Sequence, residues 1–258
     1  MAKIAPFHGI RYNAHKVGNL SEVVSQPYDR VRYGLQDQYY DLHRYNVVRI
    51  TKGREHPDDT PTDNVYTRAR DYFHTWLDAG YMLRDPAPAF YVYHQTFTLP
   101  DGTELTRKAF VAALELVEFE EGIVLPHERT LSGPKADRLN LLRATNTNFG
   151  QIFMLYPDAE NRINDIFDVA IAGREPDADV HEMFEQDVRQ QLWVVSDPEV
   201  TAQVVAEMAP KRGLIIADGH HRYETALNFR AEMRERFPVA PADAGFNSRM
   251  VTLVSLDD

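Results

Sequence analysis

Apolar and polar residues alternate along the chain in blocks that predict both strands and helices. Residues 90–99 and 105–117 are rich in β-branched and aromatic residues and flank a Pro-Asp-Gly-Thr turn signal, which predicts a β-hairpin. Four shorter apolar runs predict strands at residues 151–156, 191–195, 214–217 and 249–256. Helical spacing predicts a helix that is capped by Thr62 or Asp63 and ends at Gly80, and helices at residues 135–144, 161–172, 198–208 and 223–236. Because a hairpin is combined with interspersed strands and helices, the pattern predicts an α+β fold.

The pattern also predicts how the chain is divided. The first 60 residues have no clear period, and a Pro-Ala-Pro break at residues 86–88 separates them and the first long helix from the hairpin. We therefore expect an N-terminal α/β segment, residues 1–85, packed on a core of residues 86–258. Because the chain stops directly after the last predicted strand, we expect it to be a shortened form of a longer protein.

The composition restricts the classes of function. With no cysteine among 258 residues, disulfides, thiolate metal sites and cysteine nucleophiles are excluded, and a cytoplasmic location is the simplest expectation. The apolar runs are too short to cross a bilayer, and the N-terminus lacks the apolar core of a signal peptide. A formal charge of −11, from 28 basic and 39 acidic residues, argues against duplex DNA as a partner. It still permits a local basic pocket for a small anion.

The most informative motif is Ala-Asp-Gly-His-His-Arg at residues 217–222, between a predicted strand and a predicted helix. Free backbone N–H groups and the helix dipole favour phosphate at such a place, and His220, His221 and Arg222 add donors there. In the structural alternative, Asp218 is only a helix cap and the basic residues form a solvated first turn. Cationic residues oppose the dipole at a helix N-terminus, which favours the functional interpretation.

A second cluster of charged residues surrounds the start of the helix predicted at residues 135–144. His127 and Glu128 precede that helix, and Glu128 is a candidate general base toward a substrate hydroxyl. Lys135 and Arg138, near the helix start, are candidates for binding phosphate, and Asp137 is a candidate for binding Mg²⁺. The structural alternative is that Asp137 stabilises the helix dipole and pairs with basic neighbours at the surface.

The histidines of both motifs raise the question of a transition metal. Together with Glu128, the side chains of His127, His220 and His221 could supply a zinc or manganese site. Adjacent histidines on a helix point about 100° apart, so they are poorly placed to bind one ion. We therefore regard catalytic zinc as the weaker interpretation.

Together the motifs resemble the two boxes of the ParB/sulfiredoxin-like superfamily. The closer resemblance is to a family of unknown function within it, with its Pro-His-Glu-x-Thr, Pro-Lys-x-Asp-Arg and Ala-Asp-Gly-His-His-Arg-Tyr-Glu-Thr-Ala boxes at residues 126–130, 134–138 and 217–226. Further matching segments lie at residues 25–29, 46–50 and 152–156. The resemblance implies a ParB/sulfiredoxin-like mixed sheet with flanking helices.

The superfamily also contains free serine kinases, whose similar boxes imply roles for individual residues. Glu128 matches the base that activates the hydroxyl, and residues 218–222 match the box that handles nucleotide phosphates and magnesium. Two departures limit the comparison. Sulfiredoxin chemistry requires a cysteine, which is absent, and the arginine-rich second box and helix-turn-helix of DNA-partitioning ParB proteins are not found.

We therefore expect a kinase, a nucleotide-dependent phosphotransferase that acts on a small hydroxyl metabolite, with free serine as a candidate. The catalytic candidates are His127, Glu128 and Asp218, and the Mg²⁺ candidates are Asp218 and Asp137. The expected cofactor is ATP, ADP or another nucleotide, and its candidate binding residues are Gly219, His220, His221, Arg222, Lys135, Arg138 and Thr130. The alternatives are a non-catalytic nucleotide or phospho-metabolite sensor, and a nucleotide hydrolase or metal-dependent nuclease. The kinase interpretation requires the two motifs to line one cleft.

Overall fold

The computed structural model describes residues 1–258 except residues 33, 129–131, 182, 185–187 and 258, and at residues 132–134 it describes the backbone alone. The strands in the described part of the chain are β1 (Ile4–Ala5), β2 (Ile10–Tyr12), β3 (Met82–Arg84), β4 (Phe90–Thr98), β5 (Glu104–Glu115), β6 (Val124–Leu125), β7 (Ile152–Tyr156), β8 (Ala178–His181), β9 (Val188–Val195), β10 (Leu214–Asp218) and β11 (Ser248–Ser255). The α-helices are α1 (Ala14–Val17), α2 (Leu35–Leu42), α3 (Val48–Thr51), α4 (Val65–Asp78), α5 (Ser132–Thr145), α6 (Arg162–Ile171), α7 (Pro198–Met208) and α8 (His220–Arg236).

Most of the strands belong to one mixed sheet. Its order is β6-β10-β7-β11-β5-β4-β9-β8, and β1 pairs with β5 as well. The pairs β6–β10 and β7–β11 are parallel, and the other pairs in this sheet are antiparallel. Strands β2 and β3 form a separate antiparallel pair. This mixed sheet with its helices confirms the predicted α+β class.

The main core packs alternate residues of the central strands against helices α6 and α7. Phe110, Ala112 and Leu114 of β5 all enter this core, as the two-residue period of a strand requires. The ring centroid of Phe110 lies 5.1 Å from that of Phe167 in α6, and Met208 of α7 is fully buried. Burial of each such side chain contributes about 1.5–3 kcal/mol to folding. The central sheet is therefore a stable platform for the loops at its ends.

The predicted hairpin is confirmed, because β4 and β5 pair without interruption from Tyr91–Val111 to Thr98–Glu104. Gly102, in the connecting turn, has a φ of 88°, a left-handed conformation that glycine adopts without steric cost. The aromatic and β-branched residues on both sides of this turn signal made the hairpin predictable.

Two predicted helix boundaries require correction. Helix α8 begins at His220 rather than at residue 223, so both adjacent histidines lie in its first turn. Helix α4 is capped by Asn64 rather than by Thr62 or Asp63. The side chain of Asn64 accepts the backbone N–H of Thr67, and the hydroxyl of Thr67 accepts the backbone N–H of Asn64. This reciprocal capping box satisfies two N–H groups, which a single Thr or Asp upstream would not do.

The N-terminal residues contact the rest of the chain at several places, including the large sheet and helix α5. Strand β1 extends the large sheet by pairing with β5, and α4 packs against α5. Phe73 of α4 meets Phe149 edge-on, with ring centroids 5.0 Å apart, and Leu141 of α5 joins the same apolar cluster. Because α5 also packs against α8, it lies between the N-terminal helix and the helix that carries the adjacent histidines.

Across the described residues, no helix has both the length and the apolar character needed to span a membrane.

The capping box of α4 predicts a measurable loss of stability. Asn64→Ala should lower the free energy of unfolding by about 1 kcal/mol, because N–H groups of the first turn lose their acceptor. Urea denaturation followed by circular dichroism measures this change. The control, Gln38→Ala at an exposed position of α2, should change stability by less than about 0.5 kcal/mol. Equal effects of the two substitutions would contradict the role of the cap.

Candidate functional site

The turn before α8 depends on a glycine. Gly219 connects β10 to α8 with a φ of 101°, in the left-handed region that other residues rarely adopt. A Cβ atom at this position would also lie 3.1 Å from Nε of Arg222. Gly219 therefore allows both the sharp turn and the close approach of the Arg222 side chain to the backbone.

The two sequence motifs meet at this turn. Nδ1 of His220 lies 3.0 Å from Oε1 of Glu128, and the backbone N–H of His127 donates to Nε2 of His220 over 3.2 Å. The rings of His127 and His220 are edge-on, with centroids 4.5 Å apart. His220 is only 1% exposed, whereas the side chain of Glu128 is 53% exposed. A buried imidazole thus contacts a carboxylate that remains open to solvent.

The contacts also indicate where the proton of His220 resides. Because Nε2 accepts a backbone N–H, the neutral ring carries its proton on Nδ1, next to Glu128. Among the described residues that Nδ1 has no hydrogen-bond partner, although Oε1 of Glu128 lies 3.0 Å away. Burial lowers the pKa of His220, and the negative charge of Glu128 only partly opposes this effect. The buried ring is therefore neutral at neutral pH.

Side chains of the kinds that bind metal ions lie close together at this turn. Among the described residues, the ligand atoms of His127, Glu128 and His220 lie within 4.8 Å of one another. The proton on Nδ1 of His220 faces Glu128, so this arrangement is that of a donor beside a carboxylate rather than that of a free ligand. Asp137 and Asp218, the predicted magnesium ligands, belong to no such group in the described part of the chain.

The predicted phosphate-binding cations lie nearby, and each contacts a carboxylate. Nζ of Lys135 lies 2.6 Å from Oε2 of Glu224 in α8. Arg138 pairs with Asp137 and donates to the carbonyl of Thr51 over 3.0 Å. The Lys135–Glu224 pair joins α5 to α8, and the hydrogen bond from Arg138 to Thr51 joins α5 to α3. The two cations therefore hold helices together as well as placing positive charge.

Arg222 connects the turn to its surroundings. Its guanidinium pairs with Asp218, four residues earlier, and donates to the carbonyl of Gln151 at the start of β7. The paired side chain of Asp218 is 58% exposed. His221, also in the first turn of α8, is half-buried, and Thr130 lies outside the described residues.

Arg222 and Arg138 also line a cavity of about 560 Å³ that the sequence did not predict. Its walls come from the N-terminal segment, the sheet and helices α5 and α8. Five arginines line it, namely Arg30, Arg107, Arg138, Arg222 and Arg249, together with the aromatic residues Tyr28, Tyr93 and Phe149. No carboxylate is among the described residues that line this cavity. We call it the arginine cavity.

Arg249 is the most unusual of these residues. It is 7% exposed, one Nη donates to the carbonyl of Gly150 over 2.9 Å, and its buried Nε has no hydrogen-bond partner in the part of the chain that the structure describes. Burial lowers the pKa of Arg249 to about 9, and the positive charges of Arg222 and Arg138 act in the same direction. The guanidinium is still charged at neutral pH. A buried charge that faces like charges has a strong preference for a bound anion.

The amide of Gln26 adds polar groups without partners. Gln26 lines the arginine cavity at 7% exposure, and no described residue forms a hydrogen bond with its side-chain amide oxygen or nitrogen. Buried amides are normally bonded. Gln26 and Arg249 therefore both have unused hydrogen-bonding capacity in this region.

Sequence reasoning missed the residues that distinguish this cavity. Arg249 begins an otherwise apolar strand, and that interruption was the one local signal of its role. Gln26 lies in residues 25–29, which the family resemblance singled out without assigning a function. Arg30 and Arg107 come from segments that are remote in the sequence, and only the tertiary fold brings them together.

The structure describes an α+β protein in which Arg222, in the first turn of α8, lines the arginine cavity and His220 of the same turn contacts Glu128. Neither Glu128 nor Asp218 is among the described residues that line this cavity. Residues 4–258 match the model of a protein family described as "Protein of unknown function (DUF1015)", and the chain belongs to that family. No curated protein and no solved structure matches the chain. The match confirms the predicted membership of a family of unknown function. The relationship to the ParB/sulfiredoxin-like superfamily stays a prediction.

Arg249 predicts an unusual effect on stability. In the absence of anions, Arg249→Met should raise the free energy of unfolding by about 1–2 kcal/mol, because relief of a buried unpaired charge outweighs the lost hydrogen bond to Gly150. Chemical denaturation measures the change. Arg236→Met, which removes the same charge from an exposed position, should have little effect. A large loss of stability in Arg249→Met would identify Arg249 as a structural residue.

The same residue predicts a pH dependence. The folded protein loses the Arg249 proton near pH 9, whereas the unfolded chain keeps it up to the ordinary, much higher pKa of arginine. The unfolded state therefore binds more protons above pH 9, and the wild type gains stability relative to Arg249→Met as pH rises. Denaturation curves of both proteins across this range test the sign. A constant difference in stability would show that the Arg249 pKa is not lowered.

Proposed function

We propose that this protein is a nucleotide-dependent phosphotransferase that acts on a small hydroxyl metabolite. The observation that carries the proposal is the arginine cavity, in which buried Arg249 faces Arg222 and Arg138 without a lining carboxylate among the described residues. The volume of about 560 Å³ lies within the range of small-molecule sites. Guanidinium groups bind phosphate oxygens bidentately, so a polyphosphate satisfies the charge of this cavity.

Phosphoryl transfer suits the arrangement because it depends mainly on positioning and charge neutralisation. Glu128 is the group that we assign to the acceptor hydroxyl, since its carboxylate is open to solvent and held beside His220. The buried ring of His220 leaves no open face for a phosphate, so we assign it to positioning Glu128. Arg222 starts in the same helical turn as His220 and lines the cavity, which links the base to the phosphates.

The proposed magnesium ligand is Asp218. Its carboxylate is more than half exposed and has Arg222 as its partner. Asp137 is less suitable, because one of its oxygens accepts the hydroxyl of Tyr66 over 2.9 Å and the other accepts Arg138. The remaining coordination of Mg²⁺ would come from water and from the nucleotide phosphates, as is usual for this ion.

The predicted ParB/sulfiredoxin-like relationship supports the same roles. In the free serine kinases that this chain resembles, the first box supplies the hydroxyl-activating carboxylate and the second handles phosphates and magnesium. The contact between Glu128 and His220 brings the corresponding residues of this chain together. Free serine is therefore the first acceptor to test.

A non-catalytic nucleotide or phospho-metabolite sensor is the second candidate. It is favoured by the pairing of Asp218 with Arg222 and of Lys135 with Glu224, because these groups must give up a partner before they bind ligand. A sensor would bind the same anions and form no phosphorylated product.

Anion binding is the first test of the proposal. Isothermal titration with pyrophosphate and with ADP should show binding to the wild type, and Arg249→Met should weaken both by at least about tenfold, since a charged hydrogen bond contributes about 1.5–3 kcal/mol. Arg236→Met is the charge-matched control and should bind like the wild type. Absence of binding in the wild type, or equal binding by Arg249→Met, would refute the assignment of the cavity.

Turnover separates the two candidate functions. Glu128→Gln should abolish the formation of phosphorylated product from ATP, Mg²⁺ and a mixture of hydroxy-metabolites, while nucleotide affinity is retained. Mass spectrometry of the products and titration with ADP measure the two quantities. Glu121→Gln, at an exposed residue of the same sheet edge, is the control. Full turnover by Glu128→Gln would reject Glu128 as the base, and no product from the wild type would favour the sensor.

A further inference from the structure

A second cavity adjoins the arginine cavity on the side of the N-terminal segment. Its volume is about 380 Å³, and it shares Thr51, Arg138 and Leu141 with the arginine cavity. Its remaining lining comes from Gln36, Ile50, Lys52, Gly53, Glu55, Val65, Tyr66 and Asp137. Because Thr51, Arg138 and Leu141 line both cavities, the two spaces adjoin at these residues. We call this space the acidic cavity.

The two cavities differ in charge balance. The described lining of the arginine cavity has five arginines and no carboxylate, whereas that of the acidic cavity has two carboxylates, Glu55 and Asp137, beside two cations, Lys52 and Arg138. Arg138 lies at the boundary. It pairs with Asp137 on one side, and its guanidinium lies 3.9 Å from the ring centroid of Tyr28, which lines the arginine cavity. A ligand with an anionic end and an uncharged polar end therefore has one favoured orientation across the boundary.

The acidic cavity also has the surfaces that a nucleoside requires. Ile50, Val65 and Leu141 provide apolar contacts, and the ring of Tyr66 provides an aromatic one. The amide NH₂ of Gln36 donates to the carbonyl of Lys52 over 2.7 Å, which leaves its oxygen as an acceptor. Carboxylates repel phosphate but accept hydroxyl and amino donors, which a ribose and a base both offer.

We propose that the acidic cavity binds the nucleoside part of the nucleotide, with the phosphates in the arginine cavity. The inference rests on the proposed function for the phosphate end, and it adds the recognition of the sugar and base. Glu55 accepts a hydroxyl or amino group of the nucleoside, Asp137 offers the lone pairs that Tyr66 and Arg138 do not use, and Arg138 lies where the nucleoside joins the phosphates. Residues of α3, α4 and the loop after α3 thus determine which nucleotide is bound.

The test compares ADP with pyrophosphate, which lacks the nucleoside. Titration calorimetry gives the ratio of the two affinities. A change in the overall charge of the protein affects both affinities, so it largely cancels in this ratio. The wild type should bind ADP at least about tenfold more tightly than pyrophosphate. Val65→Phe, which fills the acidic cavity, should reduce that ratio by about tenfold and leave pyrophosphate affinity unchanged. Val169→Phe, at a position that is 80% exposed in α6, is the matched control.

A second variant keeps the test valid if Val65→Phe does not fold. Glu55→Gln changes an exposed side chain at the cavity and should reduce the same ratio by about threefold, because one acceptor of the nucleoside is weakened. Equal affinities of the wild type for ADP and pyrophosphate would overturn the nucleoside proposal and leave the arginine cavity as an anion site. An unchanged ratio in the folded variants would also overturn it. No binding of either compound would instead refute the proposed function itself.

Discussion

The architecture of the cavity depends on one buried positive charge, that of Arg249, which faces other positive charges. Arg249 lies at the start of a central strand, and the nearest cations, Arg138 and Arg222, come from two different helices. Folding brings the three together against their mutual repulsion, so the free energy of the empty cavity is unfavourable and the burial of apolar residues elsewhere must offset it. Phe110 and its neighbours in the main core supply that stabilisation. Natural selection retains a cost of this kind mainly at functional sites.

Helix α5 connects this charge to the other parts of the molecule. Through Lys135 it contacts α8, through Arg138 it contacts α3, and through Leu141 it joins the apolar cluster of α4. One helix thus ties the N-terminal segment to the turn that carries the adjacent histidines. The N-terminal segment also contributes Gln26 and Tyr28 to the arginine cavity, so the cavity exists only when this segment is packed on the core. Fold and site are therefore formed by the same contacts.

Much of the fold could be predicted because local patterns determine it. The hairpin, the cap of α7 at Asp197 and the strand that precedes Gly219 all have short-range signals in the sequence. The kinase interpretation required the two charged motifs to line one cleft, and in the structure Glu128 of one motif contacts His220 of the other. The arginine cavity could not be anticipated, because Arg30, Arg107 and Arg249 are far apart in the chain and their sharing of one space is a property of strand order. The start of α8 was predicted three residues too late because histidine is a weak helix former and the helical spacing of apolar residues begins only at residue 223.

Gly219 has a consequence for the sequence of events during binding. It lets one guanidinium, that of Arg222, reach both the carboxylate of Asp218 and the cavity wall. Under the proposed function, a phosphate that engages Arg222 would take the ionic partner of Asp218 and leave its carboxylate available to a cation. Binding of the anion would then come before binding of the cation. A residue with a side chain at position 219 would uncouple the two steps.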